Sequence, residues 1–241
     1  GEDMDFKSWL KRMSRLSENS IYKYSHAVVT VSEMMLSEGI IKKSLTDMDL
    51  YELDFAIKDI FNTPSFILKN ETGNRMYGIS LKWYRNYKSS FEFDNMAVQK
   101  EIAKIENSRT IAQTEKDAIV KARVGQGIFR ENLIKKYKCC IVTGIDIPQL
   151  LIASHIKPWS VCTNNERLCV ENGLLLSATY DRLFDCGLIT FDSGGKLSIS
   201  SAIDGSNRIK LKLSNGSKFD IKMVPDMKSF LEYHNDIIFV Q

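Results

Sequence analysis

The sequence predicts an α+β protein in two parts, an N-terminal α-helical bundle followed by a smaller mixture of strands and helices. Apolar residues recur at helical spacing through most of residues 5–88. Between about residues 150 and 200, short apolar runs alternate with turn residues, as strands and hairpins do. The stretch between the two parts is polar and lysine-rich. We therefore expect a helical domain at 1–89, a linker or connecting helix at 90–115, and a second domain at 116–241.

The helical part divides into four predicted helices. The first carries Phe6, Trp9 and Leu10 on one face. The others are placed by capping residues and turn signals. The second helix begins at Ser17 or Ser20 and ends before Gly39, the third begins at Thr46 and stops at Pro64, and the fourth follows the turn at 71–74.

The connecting stretch and the second part alternate between helical and strand-like patterns. Val98, Ile102 and Ile105 indicate an amphipathic connecting helix. A further helix should run to Tyr137 with a break at 125–127. This Gly-Gln-Gly sequence lacks the lysine of a phosphate-binding loop. The remaining predictions are strands at 150–156, 173–176 and 209–213, a hairpin of 188–191 with 197–200, and a closing helix at 226–234.

Composition limits the class of protein. The chain has 241 residues, of which 44% are hydrophobic and 26% are charged, which excludes a disordered or collagen-like protein. No apolar run approaches the ~18 residues needed to span a bilayer, and the polar start does not resemble a signal peptide. We therefore expect a cytoplasmic protein with no membrane partner.

The five cysteines show no CxxC pair. Free thiols are the expectation for a reducing compartment. Cys162 and Cys169 leave a structural zinc site open as an alternative.

Positive charge is clustered although the net charge is only +3. Basic residues concentrate at 75–88, 116–138 and 208–222. Such clusters suit a partner that carries phosphate. Charge alone is also compatible with ordinary solvated faces.

His155 is the histidine best placed for chemistry. It ends an apolar strand and is followed two residues later by Lys157-Pro158, where proline stops the strand. The strand would thus deliver the imidazole to the edge of a loop. His26 and His234 lie inside predicted helices, where packing is the usual role of a lone histidine. A satisfied buried histidine remains the alternative for His155 as well.

Two acids follow the next predicted strand. Ser177 can begin a helix that carries Asp181 and Asp185, four residues apart. On a helix this spacing places the two carboxylates on one face, roughly 5–6 Å apart at Cβ. Such a pair can hold Mg²⁺ or a similar cation. Two solvated acids would show the same spacing.

Five sequence blocks, in the order in which they occur along the chain, resemble the HNH endonuclease family, and more narrowly its restriction-type branch. The nuclease blocks are 153–159 (ASHIKPW), 171–176 (ENGLLL) and 183–187 (LFDCG), preceded by 125–130 (GQGIFR) and 140–144 (CIVTG). The resemblance covers about residues 114–240. The helical part resembles the small DNA-binding domain of tyrosine recombinases in FxxWL and SIxxY.

The HNH resemblance implies a ββα-metal fold with additional β-hairpins, and it implies roles for individual residues. His155 would be the general base and Asn172 would brace the loop. Asp181 would stand where the final histidine or asparagine ligand of the family falls, and Asp185 would be a second ligand or a helix anchor. Ser154 occupies a position where many relatives carry a metal ligand, although a hydroxyl is a poor one. The cofactor would be Mg²⁺ or another divalent cation such as Mn²⁺, and Asp146 is a further candidate ligand.

Double-stranded DNA is the implied substrate. A two-fold homodimer would suit the cutting of two strands. The residues predicted to contact phosphates are Arg130, Lys157, Arg182, Arg75, Lys82 and Arg85.

The predicted function is a metal-dependent DNA endonuclease in restriction or defence. Ser154 and the missing final histidine leave two alternatives. One is a DNA-binding protein whose degenerate HNH domain does not cut. The other is a helical interaction module that carries a degenerate nuclease as a scaffold.

Overall fold

Two hydrophobic cores organise the chain. The computed structural model describes residues 5–91, 113–221 and 223–241, with side chains at 5–89, 125–221 and 223–241. The first core lies among the N-terminal helices. The second is built around two small antiparallel sheets and the helices that flank them. The predicted α+β class is confirmed.

Among the described residues, five α-helices belong to the first part. The face of α1 that carries Trp9 packs on α5, where the Trp9 and Trp83 rings meet edge to face at 6.2 Å. Both side chains are buried. The helix bounds are α1 Phe6–Met13, α2 Glu18–Ser37, α3 Leu50–Phe61, α4 Pro64–Thr72 and α5 Met76–Phe91.

The start of α3 differs from the prediction. Thr46 lies in a short 3-10 turn, and the helix begins after Asp49. The Asp49 side chain accepts from the backbone N–H of Glu52, and the Glu52 side chain accepts from the backbone N–H of Asp49. This reciprocal capping box satisfies two helix-end donors, which explains why the helix starts there.

The described second part begins with one long helix. Each helix or strand that follows it has nine residues or fewer. Strands β1 and β2 pair antiparallel, and β3 and β4 form the predicted hairpin, in which Gly195 adopts a φ of +77°. The element bounds are α6 Gln113–Tyr137, β1 Leu151–His155, α7 Asn164–Leu168, β2 Gly173–Ser177, α8 Ala178–Asp185, β3 Ile189–Phe191, β4 Leu197–Ile199, α9 Gly205–Lys210 and α10 Pro225–Tyr233.

The predicted break at 125–127 is wrong, because α6 continues through both glycines. Glycine costs roughly 1 kcal/mol in a helix interior. Burial of Phe129 and Leu133 in the second core offsets that cost. Gly125 also permits close packing, since a Cβ there would lie 2.6 Å from Cδ2 of Leu168.

The predicted strand at 209–213 is also wrong. The chain forms α9 instead, because Asp204 caps it by accepting from the backbone N–H of Asn207 at 2.7 Å. The side chain of Arg208 then donates to the carbonyls of Ile203 and Ser200. A five-residue alternation was too short to outweigh this cap.

Packing crosses the predicted domain boundary. The amphipathic connecting helix predicted within 90–115 lies outside the described residues. Ile237 and Ile238, at the end of the π-helical turn that follows α10, and Val240 just after it belong to the first core. The division at 1–89, 90–115 and 116–241 stays a prediction. None of the described helices is long and apolar enough to cross a lipid bilayer.

Candidate functional site

Strands β1 and β2 and helix α8 frame the candidate site. The strand register pairs His155 with Gly173 and Ser154 with Leu174. A Cβ on Gly173 would lie 2.6 Å from Cδ1 of Leu133, so the glycine lets α6 pack close beneath the strands. Helix α8 begins directly after β2. Since Ser177 pairs with Leu151, α8 begins beside the start of β1, and the hydrogen bond between Ser154 and Asp181 joins the helix to a later part of the strand.

The imidazole of His155 is held in one orientation. Its Nε2 lies 3.0 Å from the carbonyl oxygen of Arg167. Because a carbonyl only accepts, this hydrogen bond requires the proton on Nε2 and leaves the lone pair on Nδ1. The ring also stacks on Phe129, with centroids 4.1 Å apart and planes 10° apart.

The surroundings keep His155 neutral near pH 7. Burial lowers its pKa below the ordinary 6.5, and the positive charge of Arg167 acts in the same direction. The hydrogen bond to the Arg167 carbonyl and the charge of Asp185 oppose this shift without reversing it. A neutral imidazole with a free lone pair is able to accept a proton.

Asn172 ties together the two segments that flank the loop. Its side chain is fully buried. Oδ1 accepts from the backbone N–H of Lys157 at 2.9 Å, and Nδ2 donates to the carbonyl of Glu166 at 3.1 Å. The backbone carbonyl of Asn172 accepts from the N–H of Ile156 at 3.0 Å. All of these bonds stay within the protein, so the residue braces the loop that follows His155.

Ser154, Asp181 and Asp185 form one electrostatic group. Burial and then the charge of Asp185 raise the pKa of Asp181 to about 7, while a hydrogen bond from the Ser154 hydroxyl opposes this shift. Ser154 is buried, whereas the Asp185 side chain is 48% exposed. The serine therefore acts as a donor to Asp181.

The donors at this site fit a cation that needs few protein ligands. Among the described residues, no group of three or more His, Cys, Asp and Glu side chains is arranged to hold a metal ion. Asp146 is exposed and forms no part of such a group. Mg²⁺ commonly binds through one or two carboxylates, with waters and substrate phosphates as its other ligands. Burial and then the charge of Asp185 raise the pKa of Asp181, and a bound cation would favour its ionised form.

Comparison with known protein families identifies this segment. Residues 139–192 match the family model described as HNH endonuclease. We call residues 139–192 the HNH segment. It contains β1, β2, α8 and β3, and it indicates a nuclease or DNA-binding function. No curated protein matches the chain. The N-terminal helices lie outside the match, so their resemblance to recombinases remains a prediction.

Two residues predicted to contact DNA lie instead against the HNH segment and the residues that follow it. Arg85 is 2% exposed and is bound to Asp54, with Nε 2.5 Å from Oδ1. Its assignment as a DNA contact is wrong, because a buried guanidinium cannot reach a phosphate. Lys82 is mostly buried, and its Nζ donates to the carbonyl of Asn235 at 3.2 Å. The basic pattern of α5 therefore belongs to an internal face.

Two further predicted contacts use their charges within the fold. Arg130 donates to the carbonyls of Pro148 and Leu151 at the start of β1. Lys157 pairs with Glu166, with Nζ 2.7 and 2.9 Å from the two carboxylate oxygens. Both side chains use these donors within the fold, and contact of either residue with DNA stays a prediction.

The remaining two predicted contacts are accessible to different degrees. Arg182 is 39% exposed, lies 3.8 Å from the Asp185 carboxylate and donates to the carbonyl of Ser89. Arg75 is exposed in the turn before α5. Contact of either residue with DNA stays a prediction.

Sequence reasoning missed Arg167. Its guanidinium carbon lies 3.9 Å from the ring centroid of Trp159, and its Nε donates to the carbonyl of that residue at 3.1 Å. Nη1 donates to Oδ1 of Asn164. In the described part of the chain, no carboxylate pairs with this cation. The sequence offered one signal for a role of this residue, namely that it lies between the block that contains His155 and the block that contains Asn172.

Proposed function

We propose that this protein is a metal-dependent DNA endonuclease in which His155 is the general base. The observation that carries the proposal is the hydrogen bond from Nε2 of His155 to the Arg167 carbonyl, which leaves Nδ1 unprotonated. The charge of Asp185, on the helix that also carries Asp181, acts on the same imidazole and supports the proposal. The match of residues 139–192 to HNH endonucleases supports hydrolysis of nucleic acid.

The chemistry follows from these side chains. Nδ1 of His155 accepts a proton from a water molecule as that water attacks the phosphorus of a phosphodiester. The lowered pKa keeps the imidazole in its accepting form at neutral pH. Asn172 keeps the loop after His155 in place, and Phe129 limits rotation of the ring.

The two acids of α8 would hold the divalent cation, either Mg²⁺ or Mn²⁺. When bound, such an ion neutralises charge on the phosphate and on the leaving oxygen. Asp181 and Asp185 would be its protein ligands, and the Ser154 hydroxyl keeps the Asp181 carboxylate oriented. Arg167 is placed to bind a phosphate next to the scissile one, with Arg182 and Arg75 as outer contacts.

The proposed substrate is double-stranded DNA, and the proposed setting is cytoplasmic restriction or defence. Because a break in both strands needs two cuts, we extend the proposal to a two-fold homodimer. The basic side chains that remain exposed would supply phosphate contacts along the duplex.

Plasmid nicking tests the proposal. Wild type and His155→Gln are incubated with supercoiled DNA in Mg²⁺, in Mn²⁺ and in EDTA. Glutamine can still donate to the Arg167 carbonyl but cannot accept the proton, so cleavage should fall about 10²–10⁴-fold. His26→Gln is the matched control, because it changes an exposed histidine of α2 that lies outside the HNH segment. Nicking by wild type in EDTA, or full activity of His155→Gln, would contradict the mechanism.

A second candidate function is DNA binding without cleavage. Two observations favour it: Ser154 donates to an aspartate instead of offering a ligand, and the described residues contain no cluster of three metal-binding side chains. In that case wild type and His155→Gln would bind DNA equally and neither would nick it. The binding should weaken steeply as salt is added, because phosphate contacts release counterions.

A further inference from the structure

Four side chains of α5 form a polar stripe that faces the HNH segment and the residues after it. We call Lys82, Arg85, Asn86 and Ser89 the α5 stripe. Their spacing of three and four residues places them on one helix face. Arg85, Asn86 and Ser89 are all at most 4% exposed. A run of polar residues with this burial must satisfy its hydrogen bonds inside the protein.

Three members of the stripe contact the C-terminal end of α8. Arg85 Nη1 donates to the carbonyl of Asp185 at 2.9 Å, and the Asn86 side chain donates to the carbonyl of Cys186. The carbonyl of Ser89 accepts from the guanidinium of Arg182. The last carbonyls of a helix have no partners within it, and a cation there is favoured by the helix dipole. Helix α5 thus supplies a cap for the helix that carries both acids.

The same stripe also contacts the loop that follows His155. Asp54 binds Arg85 through both carboxylate oxygens, at 2.5 and 3.1 Å. Its Oδ2 also accepts from the hydroxyl of Ser160, 3.3 Å away, in the 3-10 turn after β1. The buried pair of Asp54 and Arg85 therefore contacts the acidic helix on one side and the histidine loop on the other.

We infer that Arg85, Asn86 and Asp54 are positioning residues that fix the acidic helix relative to His155. This inference rests on the proposed nuclease function. None of the three side chains reaches the reacting groups. They act on the spacing between the general base and the carboxylates, so the N-terminal helices are part of the working site.

The test compares Arg85→Lys and Asn86→Ala with Lys82→Met. Lysine keeps the charge but cannot form hydrogen bonds to the Asp54 carboxylate and to the Asp185 carbonyl at the same time. Lys82 belongs to the same stripe but donates to the carbonyl of Asn235 and not to a carbonyl of α8, so its variant is the matched control. Nicking rates are measured against Mg²⁺ concentration and against DNA concentration.

We expect Arg85→Lys and Asn86→Ala to raise the half-saturating Mg²⁺ concentration or lower kcat by about 10–100-fold, as loss of supporting contacts around a metal does. KM for DNA should stay unchanged, because these side chains do not touch the substrate. Lys82→Met should behave like wild type. Variants that lose thermal stability but keep the wild-type Mg²⁺ response and kcat would overturn the inference. If Arg85→Lys does not fold, Asn86→Ala decides.

A second readout separates this inference from the proposed function. Hydrogen exchange of the α8 backbone amides should become faster in Arg85→Lys and Asn86→Ala, while exchange in α10 stays unchanged. A wild type that never nicks DNA would refute the nuclease proposal, and the exchange rates would still report on the cap. Unchanged α8 exchange in both variants would refute the cap itself.

Discussion

Replacing Asp181 by asparagine should stabilise the metal-free protein at alkaline pH. Burial and the neighbouring Asp185 raise the pKa of Asp181 from 3.8 to about 7, so the folded state disfavours the charged carboxylate. Asparagine has the same shape, still accepts from the Ser154 hydroxyl and carries no charge. The variant therefore removes an electrostatic penalty without opening a cavity.

The size and pH range of the effect follow from linkage. A carboxyl pKa raised from 3.8 to about 7 corresponds to about 4 kcal/mol in the free energy of unfolding when the group is fully ionised. Because the folded state binds the proton more tightly, the penalty is absent below about pH 4. It grows as pH rises and is complete above about pH 7. Local relaxation reduces it, so we expect a gain of about 2–4 kcal/mol at pH 8.

Thermal melts in EDTA between pH 4 and pH 8 measure this gain. For a chain of this size, each kcal/mol should move Tm by about 2–4 °C. Asp192→Asn is the control with the opposite sign, because backbone N–H donors of Lys196 and Gly194 lower the pKa of Asp192. That variant should lose stability at pH 8. An Asp181→Asn protein that is no more stable than wild type at pH 8, or whose gain does not change with pH, would refute the reasoning.

Three further predictions concern the surroundings of the site. Arg167→Ala removes a charge that lowers the pKa of the site histidine, so that pKa should rise in an NMR titration while KM for DNA increases. Asn172→Ala leaves the backbone N–H of Lys157 and the carbonyl of Glu166 without their side-chain partner. We expect urea unfolding to show that the free energy of unfolding falls by about 2–4 kcal/mol. Gly187 and Gly39 both have a φ of +71°, but an added Cβ meets the Ile238 carbonyl only at Gly187. Gly39→Ala should cost about 1 kcal/mol and Gly187→Ala clearly more, and equal losses would contradict the contact.

The local order of the site could be predicted from the sequence because its parts are close along the chain. An apolar run that ends before a proline gave β1, and the short run at 173–176 gave β2. The four-residue spacing of Asp181 and Asp185 gave one face of α8. These features depend on hydrophobic periodicity and turn chemistry, which act over a few residues.

Features that depend on packing between distant segments could not be predicted. The basic residues of α5 have the pattern of a DNA-binding face, and only tertiary contacts show that Arg85 is buried with Asp54. The Arg167 carbonyl orients His155, and a backbone group has no signature in the sequence. Gly125 resembles a helix breaker until Leu168 is found packed against it.

The participation of Ile237, Ile238 and Val240 in the first core has a consequence for synthesis. The helices that need these residues leave the ribosome well before them, with the whole HNH segment in between. A nascent chain therefore lacks part of its N-terminal core until residue 240 has emerged. Contacts between segments this far apart also slow folding, since a long loop must close before they form. We expect the assembled protein to arise only after translation has passed this point.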